Sequence, residues 1–179
     1  MAGSEDLQYP IGRFRWSADG GSEARRKWVG EIANMPQEFR SAVAGLTDEQ
    51  FDTPYRPGGW TVRQLVHHVP ESHMNAYLRL KWALTEEQPA IKSYDEARWA
   101  ELPEARSGPV EPSLRLLDAL HERWVTAWNG LSDSEWRRTL RHPEIGSMSV
   151  EHLAALYAWH GRHHVAHIRA LRKRSGWGE

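Results

Sequence analysis

The chain has 179 residues, 40% of them hydrophobic, with 23 lysines and arginines against 24 aspartates and glutamates and a formal net charge of -1. That length suits one domain, residues 1–179, able to bury a core without staples, and the near-neutral, well-mixed charge excludes the electrostatic footprint of a nucleic-acid or membrane-surface binder. The absence of cysteine removes disulfides, thiolate ligands and a cysteine nucleophile together.

The N-terminal stretch "MAGSEDLQYPIG" is polar, without the cationic start and apolar run of an export signal, and no segment approaches the roughly 18–20 apolar residues that span a bilayer. The expected address is the cytoplasm. The first predicted helix runs from about Ser22 to Leu46, with Trp28, Ile32, Met35, Phe39 and Val43 at spacings of three or four, and Pro36 inside it implies a kink or a break. The second starts after "PGG" with Thr61 as its N-cap and continues to about Thr85, with Pro70 marking a possible bend. The third runs from about Pro112, a residue suited to a first helical position, to Leu131, with Leu116, Leu117, Leu120, Trp124 and Trp128 on its apolar side. The fourth opens at Ser149 and ends near Arg174, where Arg172, Lys173 and Arg174 complement the helix dipole and Gly176 acts as the stop. No comparable segment alternates with period two. The predicted class is all-α, an antiparallel-type four-helix bundle with one long crossover between helices two and three.

The linkers "LTDEQFDTPYRPGGWTV" (46–62) and "LSDSEWRRTLRHPEIGSMSV" (131–150) share an order of residue types: Leu, Ser or Thr, Asp, an acidic and aromatic pair, Arg, Pro, Gly, then a hydroxyl cap and Val. Either this is chance between two polar loops, or it is a degenerate repeat that relates two helix pairs and brings the histidines of helices two and four together. The crossover from about Glu86 to Glu111, with Pro89, Pro103 and Pro109, is long enough to cross the bundle or cover a site. Ten tryptophans either fill the bundle layers or line a pocket or interface as well.

Seven of the ten histidines fall in two short windows, "VHHVPESHMN" and "YAWHGRHHVAHI". In a helix, successive residues turn by about 100°, so His160, His163, His164 and His167 share one stripe with Leu153, Leu156 and Leu171. His160 and His164, spaced i and i+4, have the geometry that lets two imidazoles hold one metal ion. A single histidine on an apolar face is more often a hydrogen-bonded core residue, but four together are hard to bury neutral and satisfied without a cation or water between them. Helix two offers the third ligand. His67 shares its line with Arg63, Glu71 and Met74, pointing towards a polar surface, whereas His68 lines up with Leu65, Ser72 and Asn75, so His68 is the expected ligand. Three neutral imidazoles leave positions open on one divalent ion, the arrangement of a catalytic site; zinc and nickel suit the set, as do iron(II) and copper. His163, His167 and Asn75 are candidates for a supporting shell, while His73, His121, His142 and His152 are expected to be structural.

These residues also carry a family resemblance. "YPIG", "DTPYRPGGWTVRQLVHHVPESHMNAYLRLKWALTEEQPAIKSYDE" and "YAWHGRHHVAHI" closely resemble the YfiT branch of the DinB superfamily, from about Tyr9 to Trp177. The resemblance implies a four-helix bundle of the DinB/YfiT type holding a metal by three histidines, one from helix two and two spaced i, i+4 on the last helix. Its pattern places the first ligand eight residues after the Trp that opens helix two; Trp60 plus eight is His68, and the others fall on His160 and His164. Relatives are described as metal-dependent hydrolases and, in bacilli, as bacillithiol transferases.

The expected function is therefore a hydrolase that activates a water held on the metal. The alternatives are a thiol S-transferase that conjugates a low-molecular-weight thiol such as bacillithiol to an electrophile, with the sulfur supplied by the co-substrate, and a non-catalytic metal-binding stress protein in which a fourth side chain, His163 or Asn75, closes the shell. An empty, water-bridged histidine cluster is a further possibility. The expected partners are a small-molecule substrate and a second copy of the chain, with no nucleic acid and no membrane.

Overall fold

The computed structural model describes residues 7–18 and 20–178, so the polar start "MAGSED" lies outside the described residues. Four long helices form the scaffold: α1 (Gly21–Val43), α3 (Val62–Thr85), α6 (Glu111–Asn129) and α8 (Val150–Ser175). Shorter elements punctuate the connections: α2 (Asp48–Phe51), α4 (Glu96–Ala100), α5 (Pro103–Ser107), α7 (Asp133–Trp136) and an antiparallel hairpin of β1 (Thr139–His142) and β2 (Gly146–Ser149), with Leu140 opposite Met148. No helix among the described residues is long and apolar enough to cross a membrane.

The termini follow local chemistry. Thr61 accepts from the Gln64 amide while the Gln64 side chain accepts from the Thr61 amide, a capping box that satisfies two orphan donors of α3. Ser149 caps α8 through the His152 amide, and Gly176 ends it in the left-handed region at φ 67°, a conformation cheap only without a side chain. The two linkers carry matching devices. Thr47 and Ser132 each open a one-turn helix with a capping box closed by Gln50 and Glu135. They then diverge, because the second linker pairs into the hairpin and the first makes only a Pro54–Thr61 bridge.

Helix α1 packs on α8 and α6, and α3 packs on α6 and α8, so α1 and α3, consecutive among the long helices, sit across the bundle from each other. One core layer gathers Ile32, Leu80, Trp124, Trp128, Leu153 and Tyr157; another gathers Phe39, Leu65, Val66, Leu117 and Ile168. Of the kink or break expected at Pro36, the break does not occur: helix α1 continues through it. Leu116, predicted on the apolar side of α6, is 41% exposed; the buried line of that helix runs through Leu114, Leu117, Leu120, His121, Trp124 and Trp128.

Candidate metal centre

Helices α3 and α8 face each other where the histidine windows fall. His68 from α3 and His160 and His164 from α8 place one ring nitrogen each within 4.8 Å of the others. His68 Nε2 is 3.4 Å from His160 Nε2, and His164 Nε2 is 3.2 Å from the same atom. Tetrahedral ligation at about 2.0–2.1 Å spaces neighbouring nitrogens about 3.3–3.4 Å apart, so the cluster has the dimensions of a ligand set.

A chain of hydrogen bonds settles what His160 Nε2 carries. Pro36 has no N–H, so the Ile32 carbonyl, four residues earlier, lacks its helical donor. His121 on α6 fills the gap with Nδ1, 2.7 Å from that oxygen. A carbonyl only accepts, so His121 Nδ1 holds the proton and its Nε2 is left to accept. His73 Nδ1 stands 2.7 Å from His121 Nε2, and His73 Nε2 stands 3.0 Å from His160 Nδ1. Each neutral ring in turn donates through Nδ1 and accepts through Nε2, so His160 Nε2 ends the chain with a bare lone pair. That lone pair can satisfy one good donor, yet both His68 and His164 converge on it. A cation at the centre satisfies all three nitrogens, and the donor set fits a divalent metal ion.

The electrostatics favour the same state. Burial pushes the His68 imidazole down to about 4, and burial, reinforced by the neighbouring imidazoles, holds His160 and His164 well below the ordinary histidine range. Neutral rings are what metal ligation needs. Gly161 lets α8 approach α1 beside the site: a Cβ there would lie 2.5 Å from Met35 Cγ.

The remaining predicted residues divide. His163 stacks on Trp159 with centroids 4.3 Å apart, and its buried Nδ1 has no hydrogen-bond partner among the described residues. His167 lies on the Tyr55 ring and donates Nε2–H to the Gln8 carbonyl at 3.0 Å. Both border the same pocket, with burial lowering them to about 3 and about 4. Asn75 turns away, donating to the Glu71 carbonyl of its own helix. His67 is not on a polar surface as its neighbours suggested. It is buried, with Nδ1 2.8 Å from Ser113 Oγ and Nε2 3.4 Å from the Gly108 carbonyl, because the end of the crossover and the start of α6 cover that side of α3.

Sequence reasoning filed His73 and His121 as structural and missed their link to His160; the signal was Pro36, whose missing donor calls for a substitute. His152 does have a packing role, stacked on Trp16 at 4.6 Å. His142 accepts from the Glu144 amide in the hairpin turn and also lines the pocket. That pocket, of about 560 Å³, extends from the three histidines past Trp60 and Ser72 to Tyr94 of the crossover and Arg79. The long crossover thus walls the site.

Comparison with known proteins fits this geometry. Residues 31–168 match the model of the DinB superfamily. A Bacillus mycoides (strain KBAB4) protein named "Putative metal-dependent hydrolase" is 50% identical over 173 residues, 97% of this chain and 99% of its own. A Geobacillus thermodenitrificans protein of the same name is 48% identical over 179 residues, 99% of this chain and all of its own. The solved structure described as "YfiT from Bacillus subtilis is a probable metal-dependent hydrolase with an unusual four-helix bundle topology" superposes with a TM-score of 0.94 at 44% identity, covering 97% of this chain and 99% of that one.

Proposed function

The chain belongs to the DinB superfamily, and from that premise we propose that it is a metal-dependent hydrolase in which His68, His160 and His164 hold one divalent ion, zinc or nickel. The observation that carries the proposal is the convergence of three Nε2 atoms on one point, where the bare His160 nitrogen can accept from only one of its two neighbours. The names of the relatives point the same way. When bound, the ion supplies Lewis acidity, lowering the pKa of a nucleophile and polarising the bond under attack.

The chain's own residues do the rest. Three protein ligands, with no fourth among the described residues, leave the ion open towards the pocket. His73, hydrogen-bonded to His121, holds the His160 ring in its ligating tautomer. His163 and His167, kept neutral by burial, border the pocket, His167 held in place by its bond to the Gln8 carbonyl. Trp60 and Trp159 give the pocket apolar walls that displace water from a bound substrate.

Transfer of a low-molecular-weight thiol to an electrophile would use the same ion and pocket, and the absence of cysteine requires the sulfur to enter with the co-substrate. Zinc- or nickel-loaded protein, offered a panel of esters and amides beside a bimane electrophile with several thiols, separates the two. Metal-dependent ester or amide cleavage supports hydrolysis; thiol-dependent bimane conjugation without cleavage replaces it with transfer.

A further inference from the structure

Arg79 is only 6% exposed, yet it lines the pocket that holds the three histidines. Among the described residues no carboxylate forms an ion pair with it and no hydrogen bond fixes its guanidinium. That is unusual in this chain: the other buried arginine, Arg63, is held by Asp48, Asp52 and the Gly108 carbonyl. A buried cation without a counter-charge is costly. The acids that share the pocket wall, Glu96 and Glu144, are both exposed.

The position is also informative. His68, Ser72 and Arg79 follow one another at helical spacing along α3, with His68 and Arg79 about 16 Å apart along the axis. Side chains of a helix lean towards its N terminus, so the Arg79 guanidinium reaches back along the groove towards the metal end. Between them stand hydroxyl groups: Ser72 Oγ lies 3.4 Å from the Tyr157 hydroxyl, and Ser72 and Tyr94 both line the pocket.

We propose that Arg79 is the anion-binding end of the substrate site and that the substrate is a small molecule carrying a carboxylate at some distance from its reacting group. Its guanidinium matches a carboxylate through two parallel N–H···O bonds, and the missing counter-charge arrives with the ligand. The Ser72 and Tyr94 hydroxyls, both on the pocket wall, face the polar middle of that molecule. This rests on the three-histidine cluster being the reaction centre, and the test keeps the two apart.

The probes are 6-mercaptohexanoate and 6-mercaptohexanol, equal in length and differing in the terminal charge. Their binding to metal-free and zinc-loaded protein is followed through tryptophan fluorescence, since Trp60 and Trp159 line the pocket. The acid is expected to bind roughly tenfold more tightly than the alcohol in both forms, the usual gain from a hydrogen bond to a charged group. Arg79→Gln should erase that difference while leaving the gain from zinc intact, and Arg79→Lys, which keeps the charge but not the fork, should retain part of it. Equal binding of the two probes to wild type, or an acid preference that survives Arg79→Gln, overturns the proposal. An acid preference that depends on Arg79 without any gain from zinc supports Arg79 and counts against the metal site instead.

Discussion

His73 Nε2 lies 3.0 Å from His160 Nδ1, and through that contact a proline on α1 reaches a prospective metal ligand on α8. Pro36 strips the Ile32 carbonyl of its helical donor, His121 takes the place of that donor, and His73 passes the resulting tautomer on to His160. A residue that weakens a helix by itself here prepares a ligand two side chains away.

Breaking this chain should weaken metal binding without unfolding the bundle. His121→Phe is expected to lower zinc affinity by roughly 10- to 100-fold, the usual cost of losing a partner behind a ligating histidine, as read by competition with a chelator. Pro36→Ala should restore the helical bond to the Ile32 carbonyl, raise the melting temperature and still reduce zinc affinity. Unchanged affinity in both variants would mean that the hydrogen-bond chain is only packing.

His67→Ala should keep its metal and lose stability. The ring is buried and bonded to Ser113 Oγ at 2.8 Å, so its removal leaves a hydroxyl without its partner at a cost of about 1–3 kcal/mol. Urea denaturation together with metal content checks both halves of the statement.

The metal-free protein should be acid-sensitive in a defined window. Burial lowers His68, His121 and His167 to about 4 and His163 to about 3, against about 6.5 in the unfolded chain. Between these values the unfolded state binds protons that the folded state refuses, so stability is full above about pH 6.5 and falls as pH drops towards 4. Each such histidine contributes about 1.4 kcal/mol per pH unit across that range. Bound zinc should move the loss to lower pH. A melting temperature flat from pH 7 to 4.5 in the metal-free protein would contradict the buried neutral cluster.

The chain is expected to form a homodimer. Met74, Leu78 and Trp82 succeed one another at i, i+4 and i+8 on α3 and are 36%, 42% and 40% exposed, a stripe that association would cover. Light scattering at micromolar concentration should give twice the chain mass, and Trp82→Glu should reduce it to one. A monomeric wild type would reject the dimer.

Much of the fold was legible because its signals are local. Thr61, Ser149 and Gly176 sit at helix ends where their chemistry places them, and the i, i+4 spacing of His160 and His164 survives folding unchanged. What could not be foreseen depends on packing between elements. Whether His67 lies at a surface turns on Gly108 of the crossover and Ser113 of α6 packing over that side of α3, and the His121–His73–His160 chain exists only once α1, α3, α6 and α8 are in contact. Arg79, Tyr94 and His142 are far apart in sequence and become one pocket wall through the crossover and the hairpin. Leu116 shows the limit of periodicity within a single helix, since the side of α6 that faces solvent is set by its neighbours.

The central claim is the ligand set, and metal content of four purified variants tests it most directly. Wild type should carry one ion per chain, and His68→Ala, His160→Ala and His164→Ala should each lose it, because two imidazoles are left where three converge. His67→Ala should retain it. Full metal content in the His68 variant with loss in the His67 variant, or an ion held by all four, would contradict the account.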